Sequence, residues 1–287
     1  NRLSENSKNS VLLVEAGGND HNPWLHIPIG YYKTMFNKSL SWNFKTEPDL
    51  GLNGRSINWP RGRVLGGSSS INGLLYVRGQ HNDFNHWRQL GNQGWSWDDV
   101  LPYFQKAEDQ ERGGDNLHGE GGPLGVSDIR LKLELCEAYI KGAEEIGIKR
   151  NYDFNGPHQE GVGYYQQTTK NGRRCSTAVA YLNPAKKRKN LKILTNALVT
   201  RIYVEDNTAT GIEYIQNHEL YSANCNAEVI LSAGTIGSPH ILNLSGIGDA
   251  QDITAKSITI IKHLPGVGKN LQDHVQARML YQCTKPI

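Results

Sequence analysis

The chain has 287 residues, 37% of them hydrophobic, with 31 Lys and Arg against 28 Asp and Glu for a net charge of +3. That length and apolar content suit one large or two ordinary soluble domains with a buried core, and exclude intrinsic disorder. The near balance of charge excludes a nucleic-acid-coating surface, and no apolar run approaches the roughly 20 residues that span a bilayer.

The first ten residues, "NRLSENSKNS", have neither the n-region nor the h-region of a secretory signal. They carry no initiator Met, and the chain stops at "CTKPI" without a terminal pattern, so a piece of a longer protein is expected. Val11 to Val14 form a continuous apolar run closed by Glu15 and two glycines, which reads as a buried parallel strand. Glu15 then sits at the carboxyl end of that strand. In dinucleotide-binding folds an acid there takes the ribose hydroxyls of adenosine, about 20 residues after a glycine-rich turn; here that turn would fall before residue 1. A plain strand end with a solvated acid is the other reading of the same residues.

A Trp-, Pro- and Gly-rich loop region from Pro23 to Pro60 leads into "NWPRGRVLGGSSSINGLLYVRG", residues 58–79. Backbone N–H groups exposed by a glycine turn bind phosphate or pyrophosphate, and serine hydroxyls add donors. Gly66 and Gly67 followed by Ser68, Ser69 and Ser70 have that composition, although "GGSSS" alone also describes a flexible surface loop. The apolar continuation buries one side of the turn and places the Asn72 amide beside it. Next, Ser96 can cap a helix whose first turn holds Asp98 and Asp99, so these acids oppose the helix dipole and read as capping, not catalysis. Residues 115–128, "DNLHGEGGPLGVSD", read as a glycine-rich connector. The following segment predicts a helix with Leu135, Tyr139, Ala143 and Ile146 on one face and Gly147 as its stop.

From Thr168 the character changes to strands and turns. Residues 190–215 predict a small antiparallel sheet broken at Asn207 and Gly211. Ala227 to Gly234 form another buried-strand candidate, followed by a helix with Ser238 as N-cap, Pro239 in the first position and Gly246 at the end. The basic run Lys186 to Asn190 reads as a solvated loop because no aromatics interleave it. A strong salt-dependent oligonucleotide affinity would argue otherwise. Cys136, Cys175, Cys225 and Cys283 form no CxxC pair, which suggests neither a zinc site nor a dithiol and favours a reducing compartment. The ten histidines are scattered without metal spacing and read as structural or exposed; no metal site is expected.

Two long motifs carry a resemblance. "RGRVLGGSSSINGLLYVRGQHNDFNHW" (Arg61 to Trp87) resembles the first signature of the glucose–methanol–choline (GMC) family of flavin oxidoreductases, and "GTIGSPHILNLSGIG" (Gly234 to Gly248) resembles the second. "VLLVEAG", "NGRRCSTAVAYL", "ALVTRI" and "LPGVGKNLQDH" are similar to family segments in their usual order, with wording nearest choline-dehydrogenase-like and aliphatic-alcohol dehydrogenases of bacteria. The resemblance implies an α/β fold, a Rossmann-like FAD-binding domain with a substrate-domain insertion, present here incompletely. Its segments would be 1–79 (first part of the FAD domain), 80–165 (lid and substrate-side insertion), 166–275 (second part of the FAD domain) and 276–287 (start of the substrate domain).

The implied cofactor is FAD. By similarity, Glu15 would hold the adenosine ribose, and Arg63, Val64, Gly66, Gly67 and Ser68 would lie along the pyrophosphate and flavin. Asn72, Gly73, Leu74 and Leu75 would line the isoalloxazine ring, and Val199 would approach the adenine through its backbone. Some relatives attach flavin covalently through a histidine at the position of Ile71; Ile71 has no such nitrogen, so non-covalent FAD is expected. Ser232 to Gly234 read either as FAD-proximal or as a structural turn. Asn270 to His274, "NLQDH", would shape the FAD domain without touching substrate.

The implied reaction is oxidation of the CH–OH group of choline or a primary aliphatic alcohol. A histidine acts as general base while hydride passes to flavin N5, and a non-NAD acceptor such as a quinone takes the electrons. The family's catalytic histidine motif lies beyond residue 287, so no catalytic residue is expected in this chain and the isolated chain is expected to be inactive. The expected partners are a small alcohol and an electron acceptor, with no nucleic acid; the expected location is cytoplasmic, with peripheral membrane association left open. Competing readings are an oxygen-using oxidase, a flavin-containing lyase and a non-catalytic, flavin-free binding protein. The intact pyrophosphate turn and Asn72 speak against the last.

Overall fold

Val11–Val14 pairs in parallel with Leu191–Leu194 in the computed structural model, which describes residues 1–274, 276–277 and 279–284. Val11, Leu13 and Ile193 pack on a core of Leu65, Ala178, Leu182, Ala185 and Leu191. The parallel strand expected from sequence is present, but it is not buried on both faces: Leu12 is 37% exposed. Alternate side chains of a strand point to opposite faces, and this two-stranded sheet has a core against only one of them.

The chain forms two compact units, Asn1–Ala197 and Leu198–Ile287. That division follows compactness. The functional segments expected at 1–79, 80–165, 166–275 and 276–287 are a different partition, and residues 285–287 of the last lie outside the described residues.

In the first unit the helix Trp97–Ala107 begins as expected: Ser96 N–H donates to Asp99 Oδ2 at 3.0 Å and Ser96 Oγ accepts from Asp99 N–H at 3.4 Å. Its buried face joins Phe84 of the helix His81–Gln89 to Trp97 and Val100. The glycine-rich connector is more ordered than expected, because Leu124–Val126 pairs in parallel with Glu108–Gln110 and Val126 is buried. The helix Glu134–Glu145 forms, but with a different face inward. Ile140 is buried and Cys136 and Ala143 are half-buried, whereas Leu135, Tyr139 and Ile146 are exposed. Two apolar stripes lie side by side on this helix, and packing selected the one around Ile140.

In the second unit Thr208–Gln216 is the middle strand of a sheet, flanked by Ala197–Glu205 and Glu219–Asn224. Asp206 and Asn207, and again Asn217 and His218, have positive φ of 48°, 62°, 52° and 66°, the signature of two-residue type I′ hairpins. Asn207 is therefore a break, as expected. Gly211 is not: it stays in its strand opposite Asn224, where the partner backbone approaches closely. Leu191–Leu194 also leaves the expected antiparallel sheet to pair with Val11–Val14.

The helix after the sheet spans Gly234–Leu244, so it starts before Ser238, and Pro239 lies inside it. Pro239 is the sixth helical residue, so it removes the N–H that would bond to Thr235 O and interrupts the ladder instead of opening it. Its end is as expected: Ser245 is buried, its Oγ accepts from Ile202 N–H at 2.8 Å and donates to Ile241 O at 2.6 Å, and Gly246 follows with φ 80°. Residues 227–233 form no strand, and Ile230 is 54% exposed. An apolar run becomes a strand only where a neighbour supplies hydrogen bonds, and among the described residues none pairs with this one.

Candidate functional site

The strand Val11–Val14 ends in a segment that lies along the turn. Glu15 N–H donates to Leu194 O at 2.9 Å, Gly18 bridges Val64, and Leu65 N–H donates to Gly18 O at 3.0 Å. The approach is close enough to require glycine at 17, where a Cβ would stand 1.9 Å from Arg63 O. Glu15 and Arg63 to Leu65 are thus brought together. Glu15 Oε1 accepts from Gly17 N–H at 2.7 Å, and the other carboxylate oxygen has no protein partner among the described residues. Burial pushes the Glu15 carboxyl up from its ordinary value, against the opposing effects of the Gly17 hydrogen bond and the Arg63 charge.

Each predicted turn residue has a definite role. Arg63 stacks its guanidinium 4.9 Å from the Trp42 ring centroid, while its Nε is buried without a partner. Val64 is fully buried with Leu25, Leu40 and Ile71, so its side chain is closed to a ligand. Gly66 has φ 89°, which disfavours residues with a Cβ, and Gly67 N–H closes back on Val64 O at 2.8 Å. Ser68 Oγ accepts from Gly62 N–H at 3.0 Å. Asn72 is exposed, and at Gly73 an added Cβ would meet nothing within 4 Å. Leu75 is 52% exposed. Leu74 is buried and takes φ 70°, an unusual conformation for a side chain of this size. It is held there by Leu74 N–H to Asn72 Oδ1 at 3.1 Å and by Thr168, whose N–H and Oγ1 both donate to Leu74 O. Val199 is half-buried on Ala197–Glu205 and lies in the second unit, whereas every other predicted cofactor residue lies in the first.

Sequence reasoning missed the brace behind the turn. The segment "NGRRCSTAVAYL" delivers Arg174 and Thr177 to it from more than 100 residues away. Thr177 N–H donates to Ser69 Oγ at 2.9 Å, and Ser69 Oγ donates to Gly66 O at 2.6 Å. Arg174 donates from Nη1 to Ser69 O at 3.1 Å and to Asn72 Oδ1 at 2.7 Å, and from Nη2 to Asn72 O at 2.8 Å. The family-like wording of that segment was the available signal; its partner was not readable.

A ligand of the FAD type fits this turn. Glu15 offers an open carboxylate oxygen, Arg63 has an orphaned buried Nε, and open space lies over Gly73. These are the groups a ribose, an anionic linker and a flat ring would use. A cavity of about 520 Å³ near Arg2, Lys170 and Tyr181 lies elsewhere, and none of the predicted cofactor residues lines it.

Residues 78–153 hold a second polar cluster, which the sequence presented only as a scattered histidine. Glu108 is fully buried and paired with Arg78; His118 contacts Glu108 through Nδ1 at 3.2 Å and Asp153 through Nε2 at 2.9 Å. Hydrogen bonds to Asp153 and Glu108 raise His118 from 6.5 to about 9 despite burial, so it is an imidazolium at neutral pH. Its protons are committed to two carboxylates, the arrangement of a structural ion cluster. Of the basic run, Lys186, Lys187 and Lys189 are exposed and Arg188 donates to Asn1 O at 2.6 Å. Among the described residues no group of histidines, cysteines and acids is arranged to hold a metal, and no helix is long and apolar enough to cross a membrane.

The chain is 44% identical over 286 residues to an oxygen-dependent choline dehydrogenase of Rhizobium johnstonii, covering 100% of this chain and 52% of that protein. It is 43% identical over 283 residues to an alcohol dehydrogenase [acceptor] of Pseudomonas putida, covering 98% and 51%. Among solved structures, pyridoxine 4-oxidase from Mesorbium loti matches at 34% identity with a TM-score of 0.88, covering 92% of this chain and 52% of that one. The chain therefore spans about half the length of these relatives. The GMC oxidoreductase model matches residues 10–276, nearly the whole chain. By fold, by motif and by this match, the chain belongs to the GMC oxidoreductase family.

Proposed function

We propose that this chain is the cofactor-cradling part of an FAD-dependent oxidoreductase that oxidises the CH–OH group of an alcohol, with choline or a primary aliphatic alcohol as substrate. The observation that carries the reading is the convergence of Glu15 to Gly18 on the turn from Arg63 to Leu75. The names of the choline and alcohol dehydrogenases it resembles support the substrate class. When bound, FAD supplies the two-electron acceptor for the alcohol C–H bond. Glu15 binds the ribose, the Gly66–Gly67 turn and Arg63 bind the anionic linker, and the Asn72 to Leu75 stretch orients the ring. With Ile71 packed in the core beside Val64, no nucleophilic side chain at that position attaches the cofactor, so the reading is of dissociable FAD. The electrons pass to a quinone or another non-NAD acceptor; oxygen in that role is the second reading, favoured by the 34% identity to an enzyme named as an oxidase.

The test is an anaerobic visible spectrum of the natural full-length gene product purified with FAD, before and after choline and, separately, a primary aliphatic alcohol. Bleaching by either establishes flavin reduction and the substrate class. Bound flavin that neither bleaches overturns the substrate assignment, and no bound flavin overturns the cofactor assignment. The 287-residue chain alone is expected to bleach with neither.

A further inference from the structure

Asn72 is exposed, yet its amide is not free to turn. Its Oδ1 faces two groups, Leu74 N–H at 3.1 Å and Arg174 Nη1 at 2.7 Å. A backbone N–H and a guanidinium can only donate, so the atom they share must be the amide oxygen. The NH₂ group is then forced to the open side, where no acceptor meets it among the described residues. Arg174 is 2% exposed, its contacts are carbonyl and amide oxygens, and among the described residues no carboxylate pairs with it. Its Nε is buried without a partner. Desolvation draws its guanidinium down to about 10, which still leaves it charged at neutral pH. Breaking a buried cation's contacts is costly, so the clamp on residues 69–72 is stiff.

We propose that Arg174 is the positioning residue of the cofactor turn: it locks the Asn72 amide so that its NH₂ donates to an acceptor on the flavin ring. It also supplies an uncompensated positive charge behind that ring. This rests on the reading of residues 63–75 as the FAD cradle. Asn72 would touch the cofactor; Arg174 acts through it. A positive charge at this place favours the reduced, more negative flavin, so the same residue sets both affinity and redox poise.

The experiment uses the full-length protein with FAD and the variants Arg174→Gln, Arg174→Lys, Asn72→Asp and the Arg174→Gln/Asn72→Asp double variant. Three readouts are FAD dissociation constant, midpoint potential of bound flavin, and melting temperature of the apoprotein. Arg174→Gln and Asn72→Asp are each expected to weaken FAD on the order of tenfold, the loss of one good hydrogen bond. The double variant is expected to bind FAD more weakly than either single one, because the new carboxylate then faces the cofactor without Arg174 to balance it. The midpoint potential falls in Arg174→Gln and is largely retained in Arg174→Lys. Asn72→Asp sits at the surface and keeps the contact to Arg174, so it folds even where Arg174→Gln does not. Unchanged FAD affinity in Asn72→Asp, or a lowered apoprotein melting temperature in Arg174→Gln with unchanged potential and affinity, would overturn the proposal. Absence of FAD from the wild-type protein would overturn the cradle reading and this role together.

Discussion

The His118 cluster makes stability depend on pH in a direction opposite to that of most buried acids. His118 titrates near 6.5 when unfolded and near 9 in the fold, because Asp153 and Glu108 accept both ring protons. A folded-state value above the unfolded one means the imidazolium form is bound more tightly by the native state. Its contribution is complete below about pH 6.5 and is lost as pH rises to about 9. At about 1.4 kcal/mol per unit, the window is worth about 3 kcal/mol. The perturbation is His118→Gln, which keeps a polar side chain but cannot take the proton. Urea unfolding followed by tryptophan fluorescence is a suitable assay, since all six tryptophans lie in the unit that holds the cluster. At pH 6 the variant should be less stable by about 3 kcal/mol, and the gap should close as pH approaches 9. Other groups titrating in this range act on both proteins and cancel in the difference. Parallel pH profiles for wild type and variant would refute the assignment of the imidazolium to this cluster.

Two further substitutions separate the fold from the cradle. Gly17→Ala places a Cβ 1.9 Å from the Arg63 carbonyl oxygen, backbone that cannot swing aside, and should cost on the order of 1–3 kcal/mol in thermal or urea unfolding. Gly73→Ala meets nothing within 4 Å, so the apoprotein should melt as the wild type does while its FAD dissociation constant rises; equal affinity would show that no ring lies over residue 73. Ser245→Ala in the second unit leaves the Ile202 N–H buried and unpaired, at about 1–3 kcal/mol, measurable as loss of hydrogen-exchange protection at Ile202.

What local chemistry encodes was legible in the sequence. The Ser96 cap, the parallel strand ending at Glu15, the turn at Asn207 and the end of the helix at Gly246 each depend on a few consecutive residues. The turn at Gly66 and Gly67 was legible from its glycines, while its reading as a cofactor cradle came from the resemblance of residues 61–87. The failures share the opposite property. On the helix Glu134–Glu145 two apolar stripes satisfy the same period, and only contact with the rest of the fold chose Ile140 over Leu135 and Tyr139. Residues 227–233 have the apolarity of a strand without a neighbour to pair with. The helix starts at Gly234 although Ser238 and Pro239 look like its beginning; no side-chain cap marks the observed start, so local signals could not reveal it.

The sequence by itself determined the family, the Ser96 cap and the turns at Asn207 and Gly246, since each is written in contiguous residues. Tertiary structure alone decided which partners stand behind them. Arg174 reaches Asn72, Thr177 reaches Ser69, and His118 is ionised between Glu108 and Asp153. These contacts join residues far apart in the chain, and burial in the assembled fold sets their energies; neither the pairing nor the dielectric environment exists until the chain has folded.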